Sequence, residues 1–391
     1  MDREREQLRA LTGTRFLAAC SVVLYHTIVI FRVQLPLTTW ISSLASQGYL
    51  GVDFFFLLSG FILSYSYTGS DGSIHGSTVS FWVARFARIY PVYVLGLVLD
   101  AVPYFLTSTT MHARIVTEIA NPLLLQAWTP IIVPAAIQMW NPPGWSLSNE
   151  AFFYLLFPLL LPLMSKHASR VLVRITILAW AASGLLPSIL VLFATHGLQY
   201  QLTSEWRYVL DYSPLLHLPE FVLGMASGIF FTHTQRVSWR PTVLVANLGL
   251  VTLCSCLIFL LLSLDNYSRA PFVTPLLMGI IFILAFSRRG IATILGSKPF
   301  VHLGEISYGI YILHWPVFSW IVFLNIWHIL SGWTLATVYF TAVLVISTFT
   351  YYVLERPARR WIRLVWSRRQ QRAKDLQLLT SKTSVGERRI N

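Results

Sequence analysis

Long apolar runs follow one another along almost the whole chain, separated by short polar or basic connections. A helix rises 1.5 Å per residue, so roughly 17 to 25 apolar residues are enough to cross the hydrocarbon core of a bilayer. Runs of that kind fall at about 11–31, 49–67, 88–107, 148–165, 171–194, 213–232, 242–263, 270–287, 303–327 and 334–354. The pattern predicts an all-α, polytopic membrane helix bundle of about ten transmembrane helices. One run breaks the rhythm. Pro122, Pro130 and Pro134 interrupt 116–139, and Pro142-Pro143-Gly144 follows at once. Broken helices at membrane depth are tolerated where they line a protein cavity, so this Pro-rich stretch is expected to be re-entrant and to point at the site. Orientation follows the Lys/Arg bias of short connections. With 116–139 re-entrant, Arg32, Arg114, Arg207 and Arg269 fall outside and the other basic residues inside, which sets both termini in the cytoplasm.

Three parts follow from this reading: a cytoplasmic leader at 1–10, a transmembrane domain at 11–362 and a basic cytoplasmic tail at 363–391. The charged Met1–Arg9 leader and the run after it read as a retained first span rather than a cleaved signal. From Glu355 onward the chain turns basic (ERPARRWIRLVWSRRQQRAK), as an amphipathic helix on the inner leaflet does. The expected location is the cell membrane, and the inner membrane in a bacterium.

Composition agrees with the pattern. The 391 residues are 55% hydrophobic and 12% charged, against about 25% charged in soluble domains. The net charge of +13 invites a nucleic-acid reading. The basic residues, however, sit between apolar runs and in the tail, where they act as topology signals and contacts with membrane lipids. Cys20, Cys254 and Cys256 all lie in apolar runs, and no two histidines lie within five positions, so no metal site is expected. The Gly/Ser-rich linker Thr68–Ser80 lacks the GK[ST] of a nucleotide loop.

Candidate chemistry starts in the first run, LTGTRFLAACSVVLYHTIVIF, which carries Arg15 and His26. Eleven residues are close to three helical turns, so both side chains leave one face about 16 Å apart. Ionisable groups in a span usually face a protein interior or a watery cavity. A snorkelling arginine and a buried structural histidine are the plain alternative. Asp53, in GYLGVDFFFLLSGF, and Glu150, in PPGWSLSNEAFFYLLFP, each stand near the outer start of a span. Both are therefore expected in one layer with His26, where either carboxylate orients the imidazole as a general base. Each also suits a first-turn helix charge. Arg85 and Arg88 form an RxxR pair, which shares a helix face and suits phosphate oxygens. Trp145, Tyr308 and His314 complete the candidates. A buried His with carboxylates would equally serve proton coupling, so a non-catalytic proton-coupled transporter is the rival class.

These motifs, in this order, resemble the acyltransferase 3 family of integral membrane O-acyltransferases, over about residues 8 to 362. The first span resembles the family's R-x10-H at Arg15 and His26. The second resembles GVDxFFxxSGF at Gly51 to Phe61. The third resembles RxxRIxPxY at Arg85 to Tyr93. WSLxxE is Trp145 to Glu150, SYxxYxxHxP is Ser307 to Pro316, and the terminal ERP is Glu355-Arg356-Pro357. The resemblance implies transfer of an acyl group, commonly acetyl from acetyl-CoA, to a hydroxyl of a carbohydrate, a cell-surface glycan or a small molecule such as a macrolide. It also implies that R-x10-H and RxxR are needed for activity. Some members carry a C-terminal SGNH hydrolase-like domain that completes transfer. This chain shows none after its last span, so direct delivery to the acceptor, or to a partner, is expected. On this reading Arg15, Arg85 and Arg88 hold the phosphates of acyl-CoA. The extended pantetheine reaches towards His26, either for direct transfer or through a transient acyl-enzyme.

Overall fold

A computed structural model describes residues 8–33, 35–69, 72–107, 111–128, 139–166, 169–186, 188–189, 204–234, 241–264 and 266–387. Pro130, Pro134, the first seven residues of the leader and the last four of the tail lie outside this set. The described elements are helical apart from one isolated bridge between Thr68 and Ile74 in the polar linker. The principal helices are α1 (Arg9–Tyr25), α2 (Leu50–Tyr67), α3 (Thr78–Thr107), α4 (Trp145–Ser165), α5 (Ser169–Trp180), α6 (Pro214–Thr234), α7 (Val243–Ser263), α8 (Asn266–Phe286), α9 (Lys298–Phe323), α10 (Gly332–Thr350) and α11 (Arg356–Glu387).

Among the described residues, eight helices are long and apolar enough to cross a membrane, and Ala270–Phe286 is a shorter apolar helix. The expected span 171–194 is described as α5 plus a π turn over Ala181–Leu185, and residues 187 and 190–194 lie outside the described set. The described part of 116–139 does not continue as a helix. Met111–Ala120 has ten residues and gives way to turns. Side chains satisfy the backbone there: Tyr93 and Tyr90 donate to the carbonyls of Asn121 (2.8 Å) and Pro122 (3.1 Å), and Ser148 donates to that of Leu124 (2.6 Å). A water-free interior demands such partners wherever the helix stops.

Small residues set the close approaches. A methyl on Gly60 would meet the Phe221 carbonyl oxygen, and one on Gly224 or Gly228 would meet the carbonyls of Leu57 or Phe61. α2 and α6 therefore touch backbone to backbone, as small residues allow in membrane bundles. Gly13 and Gly304 do the same between α1 and the region around α9. α9 is the central post. It packs on α1, α3 and α10 and buries Ser307, Tyr311, Leu313 and His314.

α10 runs through a π turn (Tyr351–Glu355) into α11 without a break, and the apolar-to-basic stretch Gly332–Arg372 of this continuous helix alone has 41 residues. At 1.5 Å per residue this is about 60 Å, twice the apolar thickness of a bilayer. The helix crosses residue 362, where the domain was expected to end, with no break. Its extension is anchored rather than loose. Trp366 Nε1 and Gln370 Nε2 each donate to Ser80 Oγ at 3.0 Å, at the start of α3.

Candidate active site

The polar interior divides between the two ends of α1. At one end stand the arginines. Arg15 lies within electrostatic reach of Arg88, Glu150, Tyr154 and Glu355. Glu150 is within reach of Arg88, Arg15 and Arg85 and is hydrogen-bonded to Tyr154. Arg85 donates to the Tyr67 hydroxyl (3.4 Å) and lies over the rings of Tyr67, Phe81 and Tyr154 at 5.7 to 6.0 Å. α3 starts ten residues before the expected span, so Arg85 and Arg88 stand well inside a helix, half-buried and within electrostatic reach of Glu150 on α4. Arg15 Nε and Arg85 Nε are buried with no protein partner.

At the other end, α1 turns from α- to π-helix at His26. Such π turns recur at functional sites because they re-aim a side chain. His26 Nδ1 lies 2.9 Å from the carbonyl oxygen of Val22. A carbonyl only accepts, so Nδ1 carries the proton and Nε2 keeps its lone pair. His314 repeats the device: its Nδ1 donates to Tyr311 O at 2.6 Å, and its buried Nε2 has no partner. The two rings are 4.9 Å apart, centroid to centroid. Two imidazoles thus meet, each held by its own helix in the tautomer that a general base requires.

His26 also lines a cavity of about 290 Å³, together with Asp53, Trp145, Tyr311, His217 and Glu220. Asp53 lines this cavity with His26, and its immediate neighbours are His217 and Glu220. Asp53, His217 and Glu220 offer side-chain atoms within 4.8 Å of one another. His217 Nε2 donates to the Asp211 carbonyl (3.0 Å) and Nδ1 donates to Glu220 Oε2 (3.3 Å), so with an acceptor at each nitrogen the ring is held as an imidazolium paired with Glu220. The glycine contacts of α2 with α6 bring this trio together. Trp145 closes the wall, its ring 5.3 Å from that of His217 and 5.0 Å from that of Tyr212.

Glu150 does not join this layer. It lies in the second turn of α4, and Trp145, one turn earlier, already occupies the cavity wall, so Glu150 falls deeper, among the arginines. Of the two carboxylates expected beside His26, Asp53 lines the same cavity, while Glu150 is not on its wall and stands within reach of Arg15, Arg85 and Arg88.

α9 connects the ends. Tyr308, Tyr311 and His314 recur every three residues and share one face. Tyr308 donates to Ile89 O (2.5 Å) and stands within reach of Glu355 and Glu150. Tyr311 lines the cavity, bonds Ser146 Oγ (2.7 Å) and Pro143 O (3.0 Å), and is also within reach of Glu150. The cavity lining includes none of Arg15, Arg85 and Arg88. The cavity at His26 therefore does not extend to the arginines; Tyr311, whose hydroxyl ties α9 to Ser146 and Pro143 at the start of α4, stands on its wall.

Such a bundle, with charge and imidazole buried at two levels of its interior, is a multi-pass integral membrane protein organised around an internal polar site. The chain belongs to the acyltransferase 3 family: the acyltransferase domain matches residues 8–352, and the chain is an acyltransferase by that membership. It is 27% identical over 375 residues to acyltransferase MdmB of Streptomyces mycarofaciens, covering 90% of this chain and 92% of that protein. It is 24% identical to the peptidoglycan O-acetyltransferase OatA of Listeria monocytogenes, covering 91% of this chain but 56% of OatA, and 22% identical to nodulation protein 10 of Rhizobium leguminosarum bv. viciae, covering 88% and 92%. The chain thus spans little more than half the length of OatA. No solved structure matches it.

The sequence alone assigns no role to His217, Glu220, Tyr154 or Glu355. For His217 and Glu220 a signal existed: HLPEFVLGMASG places two ionisable groups three apart in an apolar run, beside small residues. Spacing within one helix gives no register against another, so their meeting with Asp53 was not readable.

Proposed function

We propose that the chain is a membrane O-acyltransferase that moves an acyl group, commonly acetyl, from acyl-CoA to a hydroxyl of a carbohydrate or cell-surface glycan. The observation that carries the proposal is the division of α1. Arginines of the kind that grip phosphate cluster at Arg15, and an imidazole with a bare Nε2 stands about 16 Å away at His26. An extended pantetheine covers a comparable distance. The arginine end faces the cytoplasm, in keeping with the basic segregation of the sequence, because a phosphate-rich donor does not cross a bilayer.

In the proposed reaction the acceptor hydroxyl enters the cavity beside Asp53, Trp145 and His217. His26 Nε2 takes the hydroxyl proton as the oxygen attacks the thioester carbonyl. The tetrahedral intermediate collapses, the carbon–sulfur bond breaks, and the proton passes to the leaving thiolate. His314, ring to ring with His26, keeps a second neutral base at the reacting level, and Asp53 with His217 and Glu220 orients the acceptor. Tyr311 must give way for the donor arm to pass. A cavity of about 290 Å³ holds one sugar ring or one small molecule at a time, so a small hydroxylated acceptor is the second reading.

Purified protein in detergent, with no proton gradient, should release free CoA from acetyl-CoA when a hydroxyl acceptor is supplied, and the acceptor should gain one acetyl mass. Mass spectrometry of surface glycans with and without the gene identifies the acceptor. Substrate movement that needs a proton gradient and no acyl donor would make the chain a transporter instead.

A further inference from the structure

The arginine end is larger than the three residues read from the sequence. α11 turns Arg359 and Arg363, four residues apart and so on one face, toward α3. Arg359 is within reach of Arg88 and ion-paired with Glu355, while Arg363 is within reach of Arg85, Arg88 and Arg359. The anchor of Trp366 and Gln370 on Ser80 fixes the register of α11 against α3. The helices run in opposite directions, so Arg359 falls at the level of Arg88 and Arg363 at the level of Arg85, one turn nearer the end of the bundle. Five guanidinium groups then share a site with two carboxylates, Glu150 and Glu355. The side chains carry three more positive charges than negative, and Nε of Arg15, Arg85 and Arg359 are buried without a partner. Uncompensated charge in so confined a place calls for a polyanion.

Resting on the acyl-CoA reading, we propose that Arg363 and Arg85 form a separate phosphate subsite for the ribose 3′-phosphate of CoA, while Arg15, Arg88 and Arg359 meet the pyrophosphate. The layering supports the split. The inner three stand nearest Glu150 and the path to His26, where the pyrophosphate must lie for the arm to reach inward. The outer pair stands at the rim, where Arg363 is exposed, and a phosphate branching from the ribose lies farther from the thioester. The bland source of the same chemistry is an anionic lipid headgroup at the inner interface, since Trp361 and Leu364 expose apolar surface on the same helix.

The test compares acetyl-CoA with acetyl-dephospho-CoA, which lacks only the 3′-phosphate, in nanodiscs of purely zwitterionic lipid and in nanodiscs with added anionic lipid. The wild-type protein should prefer acetyl-CoA in kcat/KM by about tenfold or more, the size expected of a charge-assisted contact. Arg363→Ala should lose most of that preference in both lipid mixtures, and Arg363→Lys should retain part of it. Equal losses on both donors, or a loss confined to anionic nanodiscs, would overturn the subsite and assign Arg363 to the scaffold or to lipid. Thermal unfolding of Arg363→Ala close to wild type excludes misfolding as the cause. A wild-type protein that consumes neither donor would instead sink the acyl-CoA reading itself.

Discussion

The two ends of α1 handle buried polarity in opposite ways. At the Arg15 end the groups are permanently charged, and carboxylates from α4 and the α10–α11 turn are inserted among guanidinium groups to offset part of the repulsion. At the His26 end the groups exchange protons, and the structure fixes where the protons sit. Backbone carbonyls of the same helices hold His26 and His314 as Nδ1–H tautomers, and the Asp211 carbonyl fixes the Nε2 proton of His217. Fixed charge suits a ligand that must be held, whereas a defined lone pair suits a proton that must be moved. The difference gives each end its own experimental signature: donor affinity at one, turnover at the other.

The largest break in that comparison comes from His26→Ala. Loss of a general base costs about 10² to 10⁴ in rate. Turnover should fall by that factor while equilibrium binding of CoA stays near wild type, because the arginine cluster is untouched. Equal collapse of binding and turnover would mean that the two ends are not separate sites.

A smaller effect sharpens the boundary. Sequence position predicts Glu150 beside His26, but in the structure it stands within reach of Arg15, Arg85 and Arg88. Glu150→Gln should therefore act on stability, lowering it by about 1–3 kcal/mol, the cost of leaving hydrogen-bonded charge without its partner. Turnover at saturating donor should fall less than tenfold. A loss as deep as that of His26→Ala, at unchanged melting temperature, would return Glu150 to the base.

What was legible in the sequence follows one rule. Relations within a helix could be read: Arg15 with His26 through three turns, Arg85 with Arg88 through one. The apolar runs also gave most helices, because their length is set by the bilayer rather than by neighbours. Relations between helices could not be read. Asp53 meets His217 and Glu220 only because Gly60, Gly224 and Gly228 let α2 and α6 approach backbone to backbone. A span counted from 148 sets Glu150 at its outer start, whereas the helix begins at Trp145 and carries Glu150 into its second turn. The chain enters α4 through Asn141, whose left-handed backbone (φ 58°) starts the turn that precedes Trp145. α11 read as a surface anchor, since nothing in its composition foretells the bonds of Trp366 and Gln370 to Ser80.

The smallest expected effect tests whether the two ends communicate through Tyr311. Its hydroxyl bonds Ser146 Oγ and Pro143 O, tying α9 to the start of α4 between the arginines and the cavity. Tyr311→Phe removes those bonds and keeps the ring, so stability should fall by about 0.5–1.5 kcal/mol, the net worth of such hydrogen bonds. Ser146→Ala should cost less, because the phenol retains Pro143. The double variant should cost less than the sum of the two, since both changes break the same bond. The kinetic readout decides the role. A tied phenol that must swing aside for the donor arm slows its entry, so Tyr311→Phe should speed donor association in stopped-flow while CoA affinity at the arginines changes little. Strict additivity in the cycle with unaltered association kinetics would reduce Tyr311 to packing and put the passage between the two ends elsewhere in the bundle.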